Sequence, residues 1–228
     1  MALRFLDALA VLHRTFRARP LSVRAHAIGR FLTCPFLPVV GAIPRGARVL
    51  DIGAGHGVLA RLAIAAGAVS VVAVEPDLRK ALPSYRLGGV RFVAATDEAI
   101  GGSFDVVTVT DVLYKLPRDS WPAFFRRTLA RLEPDGLLVL KEMDPAHRIK
   151  GAWNRWQERL ASASGLTIGD AFSYAPVGEL ADELRDAGFV GVEIRDLGAG
   201  YPHAHVLLLG RRPGSEAEDR GGATRDEP

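Results

Sequence analysis

Gly53, Gly55 and Gly57 stand at alternate positions in VLDIGAGHGVLA, residues 49–60, straight after an apolar run that contains Asp51. Glycines so spaced let a main chain approach a ligand closely, because no Cβ stands between peptide and ligand. Glu75, in VVAVEPD, ends a second apolar run. A carboxylate there can accept two hydrogen bonds from ribose hydroxyls, which suits any nucleoside ligand. A dinucleotide fingerprint requires G-x-G-x-x-G, and the position of its third glycine is held by Val58. The spacing here is acid-x-G-x-G-x-G.

Holding these residues in place requires a sheet. ARVLDIG, VSVVAVEP, GGVRFVAA, FDVVTVTD and LLVLKEMD are short apolar, β-branched runs. Between them lie VLARLAIAAGA, closed by Gly67, and WPAFFRRTLARL, followed by Pro134 and Gly136. Buried strands alternating with helices predict an α/β, doubly wound, Rossmann-like sheet, mostly parallel, with helices on both faces. GAWNRWQERLASA and PVGELADELRDAGF, with Gly188 as a stop, read as two further helices. FVGVEIRDL and HAHVLLLGRR then read as an antiparallel pair at the sheet edge, which brings the strands to seven. Upstream, Leu3, Leu6, Leu9, Ala10, Leu12 and Phe16 recur at helical spacing, Pro20 breaks the run, and LSVRAHAIGRFL forms a second helix. The expected organisation is a helical extension over residues 1–46 that forms a lid over the acceptor pocket, the α/β domain over 47–210 and a disordered polar tail over 211–228.

The pieces fall in the order of a known family. Asp51 with the three glycines, Glu75, FDVVTVTDVLYKLP and LEPDGLLVLKE resemble the class I S-adenosylmethionine-dependent methyltransferases over roughly residues 47–143. The resemblance implies that Asp51 and the backbone at Gly53, Ala54, Gly55 and Gly57 face the amino-acid end of S-adenosyl-L-methionine. It implies Glu75 and Pro76 at the ribose, and Asp97 at the adenine amino group. An aspartate after a strand is also an ordinary helix cap. Asp111 and Val112 match the residues that line the methionine end. His56, inside the turn, either touches the methionine carboxylate or caps the helix start. A nicotinamide-dependent oxidoreductase and a non-catalytic cofactor-binding protein are the competing readings. Val58 and the lack of a Tyr-x-x-x-Lys dyad count against the first, and the intact glycine turn argues against lost binding.

Three further segments, TCPF, KEMDPAHRIKGAWNRWQE and GYPHAHVLLLGRR, resemble methyltransferases of aryl polyene or polyketide-like pathways. That likeness implies a small aromatic or polyene carboxylate acceptor of secondary metabolism, free or tethered to an acyl carrier protein. Methyl transfer from a sulfonium is an in-line displacement, and a base is needed only where the acceptor carries a proton. Candidates near the expected mouth are Lys141, Asp144, His147 and His203, with Tyr114, Lys115, Glu142 and His205 nearby. Asp144 and His147 make a base with its orienting partner, or a helix cap and a solvated side chain. Trp153 and Trp156 wall a substrate pocket or belong to the core. His203 and His205 share a spacing that metals use, without a firm third ligand, so no metal is expected.

Composition narrows the setting. The 228 residues are 48% hydrophobic with a net charge of +3, enough for one sizeable core. Residues 1–48 carry eight arginines against Asp7 alone. Such a segment suits an acidic partner, whether carrier protein, membrane surface or nucleic acid, although arginine outnumbers lysine 25 to 4 throughout. Nucleic-acid methylation is not expected, because TDVLY stands where an N/D-P-P-Y/F motif would. The single cysteine, Cys34, excludes an internal disulfide framework and reads as a small buried apolar residue. No apolar run nears the roughly 18 residues of a membrane span, and no secretory leader is visible, so a cytoplasmic location is expected.

Overall fold

The computed structural model describes residues 3–77, 79–80, 88–144, 175–201 and 203–215. Three helices open the chain, α1 (Phe5–Phe16), α2 (Leu21–Thr33) and α3 (Phe36–Gly41). Then follow β1 (Arg48–Ile52), α4 (Val58–Ala66), β2 (Ser70–Val74), β3 (Val90–Val93), β4 (Phe104–Thr110), α5 (Trp121–Ala130) and β5 (Leu132–Met143). The last described elements are α6 (Val177–Asp186), β6 (Val190–Asp196) and β7 (His205–Arg211). The short α3 is an addition to the two helices expected from the sequence.

The seven strands lie in the order β3-β2-β1-β4-β5-β7-β6. Strands β1 to β5 pair in parallel, and β7 pairs antiparallel with both β5 and β6. The terminal pair is antiparallel and occupies the sheet edge, as expected, with β7 on the inner side against β5 and β6 outermost. Strand order reverses between β1 and β4, so a crevice opens beyond their carboxyl ends, the usual ligand position in such sheets.

Successive residues of each strand face opposite layers. Val49, Val106, Val139 and Leu207 join one core with Leu12, Phe16, Val40 and Leu62 of α1, α3 and α4. Leu50, Val107, Leu138 and Leu208 join the other with Trp121, Phe125 and Leu184 of α5 and α6. The helices therefore cover both faces, and Asp51 is brought into register with Thr108. Gly67 and Gly188 end their helices with positive φ of 113° and 100°, the left-handed stop that glycine permits.

Arg211 closes β7, and Arg212 donates its N–H to Gly136 O at 2.9 Å. Main-chain pairing thus carries the ordered core two residues past the boundary expected at 210. The remainder of the proposed tail, from residue 216, lies outside the described residues. So do His147, Trp153 and Trp156.

Candidate active site

The glycine turn is tied to the neighbouring strand. Gly53 and Ala54 both donate their N–H to Val74 O, each at 2.9 Å, so the turn is hung on the end of β2. The three glycines do different work. A Cβ on Gly53 would collide with Val112 Cγ2, and one on Gly57 would collide with the Phe92 ring. A Cβ on Gly55 would meet no atom within 4 Å. Gly53 and Gly57 therefore let the protein close on itself, and Gly55 faces open ground. Gly57→Ala forces a left-handed φ of 78° on a residue with a Cβ and drives it into Phe92. It is expected to cost about 2 kcal/mol or more, read as a lowered midpoint in chemical denaturation. An unchanged midpoint would refute this packing role.

Glu75 follows β2 directly and is buried. Its Oε2 accepts the Gly55 N–H at 2.8 Å and its Oε1 the Asp77 N–H at 3.1 Å. Each oxygen keeps a lone pair for a ligand hydroxyl. Asp51, also buried, accepts the Thr108 hydroxyl on Oδ1 at 2.8 Å, while Oδ2 has no hydrogen-bond partner among the described residues. Burial pushes its carboxyl up to about 7, and the Thr108 bond offsets only part of that. A buried carboxylate oxygen with nothing to accept is costly, and a cationic group of a ligand would satisfy it.

Asp111 directly follows β4 in a left-handed conformation, φ 56°. Arg30 Nη2 of α2 donates to its Oδ2 at 2.8 Å, and Lys141 Nζ of β5 donates to Oδ1. Burial pushes the Asp111 carboxyl up, but the charges of Lys141 and Arg30 outweigh burial and hold it below the usual carboxylate range. Next to it, Glu142 Oε1 accepts the N–H groups of Val112 and Leu113 at 2.9 and 2.8 Å. Burial, then the charge of Asp111, push Glu142 up to about 7. Glu142 braces the segment after β4, and Arg30 fastens the N-terminal helices to it.

Two adjoining cavities meet across Gly53, Glu75, Lys80 and Lys115. One, of about 190 Å³, reaches from Gly55 and His56 to Thr110 and Asp111 under His26 and Arg30 of α2. The other, of about 320 Å³, is bounded by Pro76, Asp77, Val112 and Leu116. The rings of His26 and His56 meet edge to face at 5.2 Å. Burial lowers both, with His26 reaching about 4, so both are neutral at pH 7.

Of the residues singled out in the sequence, Gly53, Ala54, Gly55, Glu75, Pro76, Asp111 and Val112 line these cavities. Asp51 is buried and belongs to neither lining, and Gly57 serves packing. Asp97 pairs with Arg127 of α5 at 3.1 Å and belongs to neither wall. Lys141 is fully buried on Asp111, which removes it from the mouth. Asp144 and His203 flank one main-chain bond, Asp144 N–H to Ala204 O at 3.0 Å. His205 Nε2 lies 3.1 Å from Thr33 O, so Nε2 carries the proton, and burial followed by the charge of Lys141 lowers the ring to about 4. The rings of His203 and His205 are 5.8 Å apart, and among the described residues no group of three metal-ligating side chains gathers. Cys34 is buried, and burial pushes its thiol up, as befits an apolar filler.

Residues 24–194 match the family model of the methyltransferase domain. A stretch of 112 residues is 35% identical to the ubiquinone biosynthesis O-methyltransferase of Xanthomonas axonopodis pv. citri (strain 306). That match covers 44% of this chain and 45% of that protein, less than half its length. Among solved structures, an O-methyltransferase family protein from Burkholderia thailandensis superposes with a TM-score of 0.67 at 20% identity, over 94% of this chain and 64% of that one. The 1,6-didemethyltoxoflavin-N1-methyltransferase of the same organism, bound to 1,6-didemethyltoxoflavin and S-adenosylhomocysteine, gives 0.60 at 21% identity over 91% and 90%. Likeness at this identity is likeness of fold.

Proposed function

Because the chain belongs to the methyltransferase domain family, we propose that it methylates a small aromatic or polyene carboxylate, using S-adenosyl-L-methionine. The observation that carries the cofactor reading is the buried Asp51 Oδ2, which has no hydrogen-bond partner among the described residues and belongs to the strand that leads into the glycine turn. An ammonium group fits that oxygen, and Glu75 offers acceptors for ribose hydroxyls. When bound, the cofactor supplies a methyl group on a sulfonium, already activated for displacement. Val112, Leu116 and Pro76 provide an apolar wall for a flat base. Arg30 and Lys115 add positive charge to the cavity, which suits an acceptor carboxylate. The likeness over 112 residues to a ubiquinone biosynthesis O-methyltransferase, whose pathway product is a quinone, supports a ring-bearing acceptor. His203, beside Asp144 at the carboxyl end of β5, takes the proton of a hydroxyl acceptor.

The decisive experiment is intact-mass analysis of methyl transfer to a hydroxyaryl-acrylic acid, free and loaded on an acyl carrier protein. A methyl on either supports the acceptor class, and methylation of the loaded form alone identifies a carrier-bound substrate. If neither gains a methyl, the acceptor assignment fails.

Asp51 adds a pH signature. Its carboxyl sits at about 7 in the ligand-free protein. An ammonium beside Oδ2 favours the ionised form, so binding expels a proton below that value. Affinity for S-adenosylhomocysteine is expected to rise by up to about tenfold per pH unit as pH climbs toward 7, then level off. Asp51→Asn should flatten the profile. Calorimetry in buffers of different ionisation enthalpy reads the proton, and a flat wild-type profile would remove Asp51 from the ammonium site.

A further inference from the structure

We infer that the outer face of the α1–α2 pair docks on an anionic lipid bilayer. The inference goes beyond methyl transfer and does not depend on it. Four of the exposed large apolar side chains belong to these two helices: Leu21 at 76%, Leu6 at 74%, Leu32 at 52% and Phe5 at 47% exposure. In α2, Leu21, Ala25, Ile28 and Leu32 fall at i, i+4, i+7 and i+11, one stripe of the helix. His26 and Arg30 lie on the opposite side and line the cavity, while Ala27 and Phe31 face the core. Leu21, Ala25 and Leu32 therefore point away from the protein, while Ile28, at the edge of the stripe, packs in part on the core. The Phe5 ring stacks on Phe31 at 5.2 Å, which holds the start of α1 against the end of α2.

Charge selects the partner. From residue 8 to residue 50 the chain has no acidic residue and seven arginines. Arg14 and Arg17 are exposed near the turn that leads to Leu21, and Arg24 is half-buried one helical turn on. Exposed leucines bordered by arginines make a face whose apolar side chains enter the acyl boundary while the guanidinium groups meet anionic headgroups. An acidic protein would answer the arginines but leave the leucine stripe in water. Docked this way, α2 has its outer face on lipid and its inner face over the cavity, a route by which an acceptor of low water solubility reaches the site.

The test is flotation of the full chain with phosphatidylcholine vesicles, with and without phosphatidylglycerol. Binding is expected only to the anionic vesicles and should weaken as salt rises. Arg14→Gln/Arg17→Gln should reduce partition about thirtyfold. Leu6→Ser and Leu21→Ser should each reduce it about tenfold. These side chains are three-quarters exposed, so the melting temperature and S-adenosylhomocysteine affinity should stay at wild-type values, which shows that each variant is folded. Flotation reads no methyl transfer, so its failure is separate from failure of the enzymatic reading. Equal binding to neutral vesicles, full binding by the leucine variants, or capture of an acidic acyl carrier protein with no vesicle binding would each overturn the proposal.

Discussion

Asp111→Ala is expected to lower stability by about 3–5 kcal/mol, because it leaves a fully buried ammonium without its counter-charge. Lys141 is 0% exposed, and among the described residues its ion pair is with Asp111. Arg30 is different, since about a third of its side chain is exposed and it can turn to water. In a chain of this size the loss corresponds to a fall of about 10 °C in melting temperature. Alanine would also inherit the positive φ of residue 111, so the charge has to be measured separately. Asp111→Asn keeps the shape and tolerates that conformation, and what it still loses reports the ion pair. Removing both charges, as Asp111→Asn with Lys141→Met, should recover much of the deficit. If the double variant is no more stable than Asp111→Asn, Lys141 is not the source of the cost.

Glu75→Ala should reduce affinity for S-adenosylhomocysteine about a hundredfold or more. With Glu75 at the ribose, as proposed, two charge-assisted bonds to hydroxyls would disappear, each contributing about 1.5–3 kcal/mol. The Gly55 N–H also loses its acceptor, so the turn loosens as the ligand loses its partner. Glu75→Gln retains an oxygen for one of these roles and should fall between alanine and wild type. Titration calorimetry gives the affinities, and ligand-free melting separates the loosened turn from the lost ligand contact. Wild-type affinity in both variants would detach Glu75 from the nucleoside.

What could be read along the chain was whatever depends on neighbours in sequence. The β-branched runs give strands, the glycines give the turn, and Glu75 lies where a strand stops at Pro76. All of these are settled within a few residues by sterics and burial. Pairings across the fold were not legible. Arg30 meets Asp111 across 81 residues, and nothing near Arg30 separates it from the other arginines of a basic segment. Thr108 faces Asp51 because β1 and β4 happen to share that register. Asp97 meets Arg127 because α5 passes over it. The entry of β7 between β5 and β6 had no local signal either. A short link between two strands says that they pair, not on which side a third one waits.

That entry orders events in time. β7 is synthesised after both of the strands it lies between, so the sheet is gapped on the ribosome until residues 205–211 emerge. Until then β5 presents an open edge from Leu137 to Met143, and Lys141 lacks the strand that seals it from water. Helices α1 to α4 and strands β1 to β4 can assemble earlier, from contacts already made. Closure of the far half awaits partners about 70 residues apart in the chain, the slow class of contact in folding. A nascent chain stalled before His205 would be an exposed template for its neighbours, and that interval is where a chaperone would have most to guard.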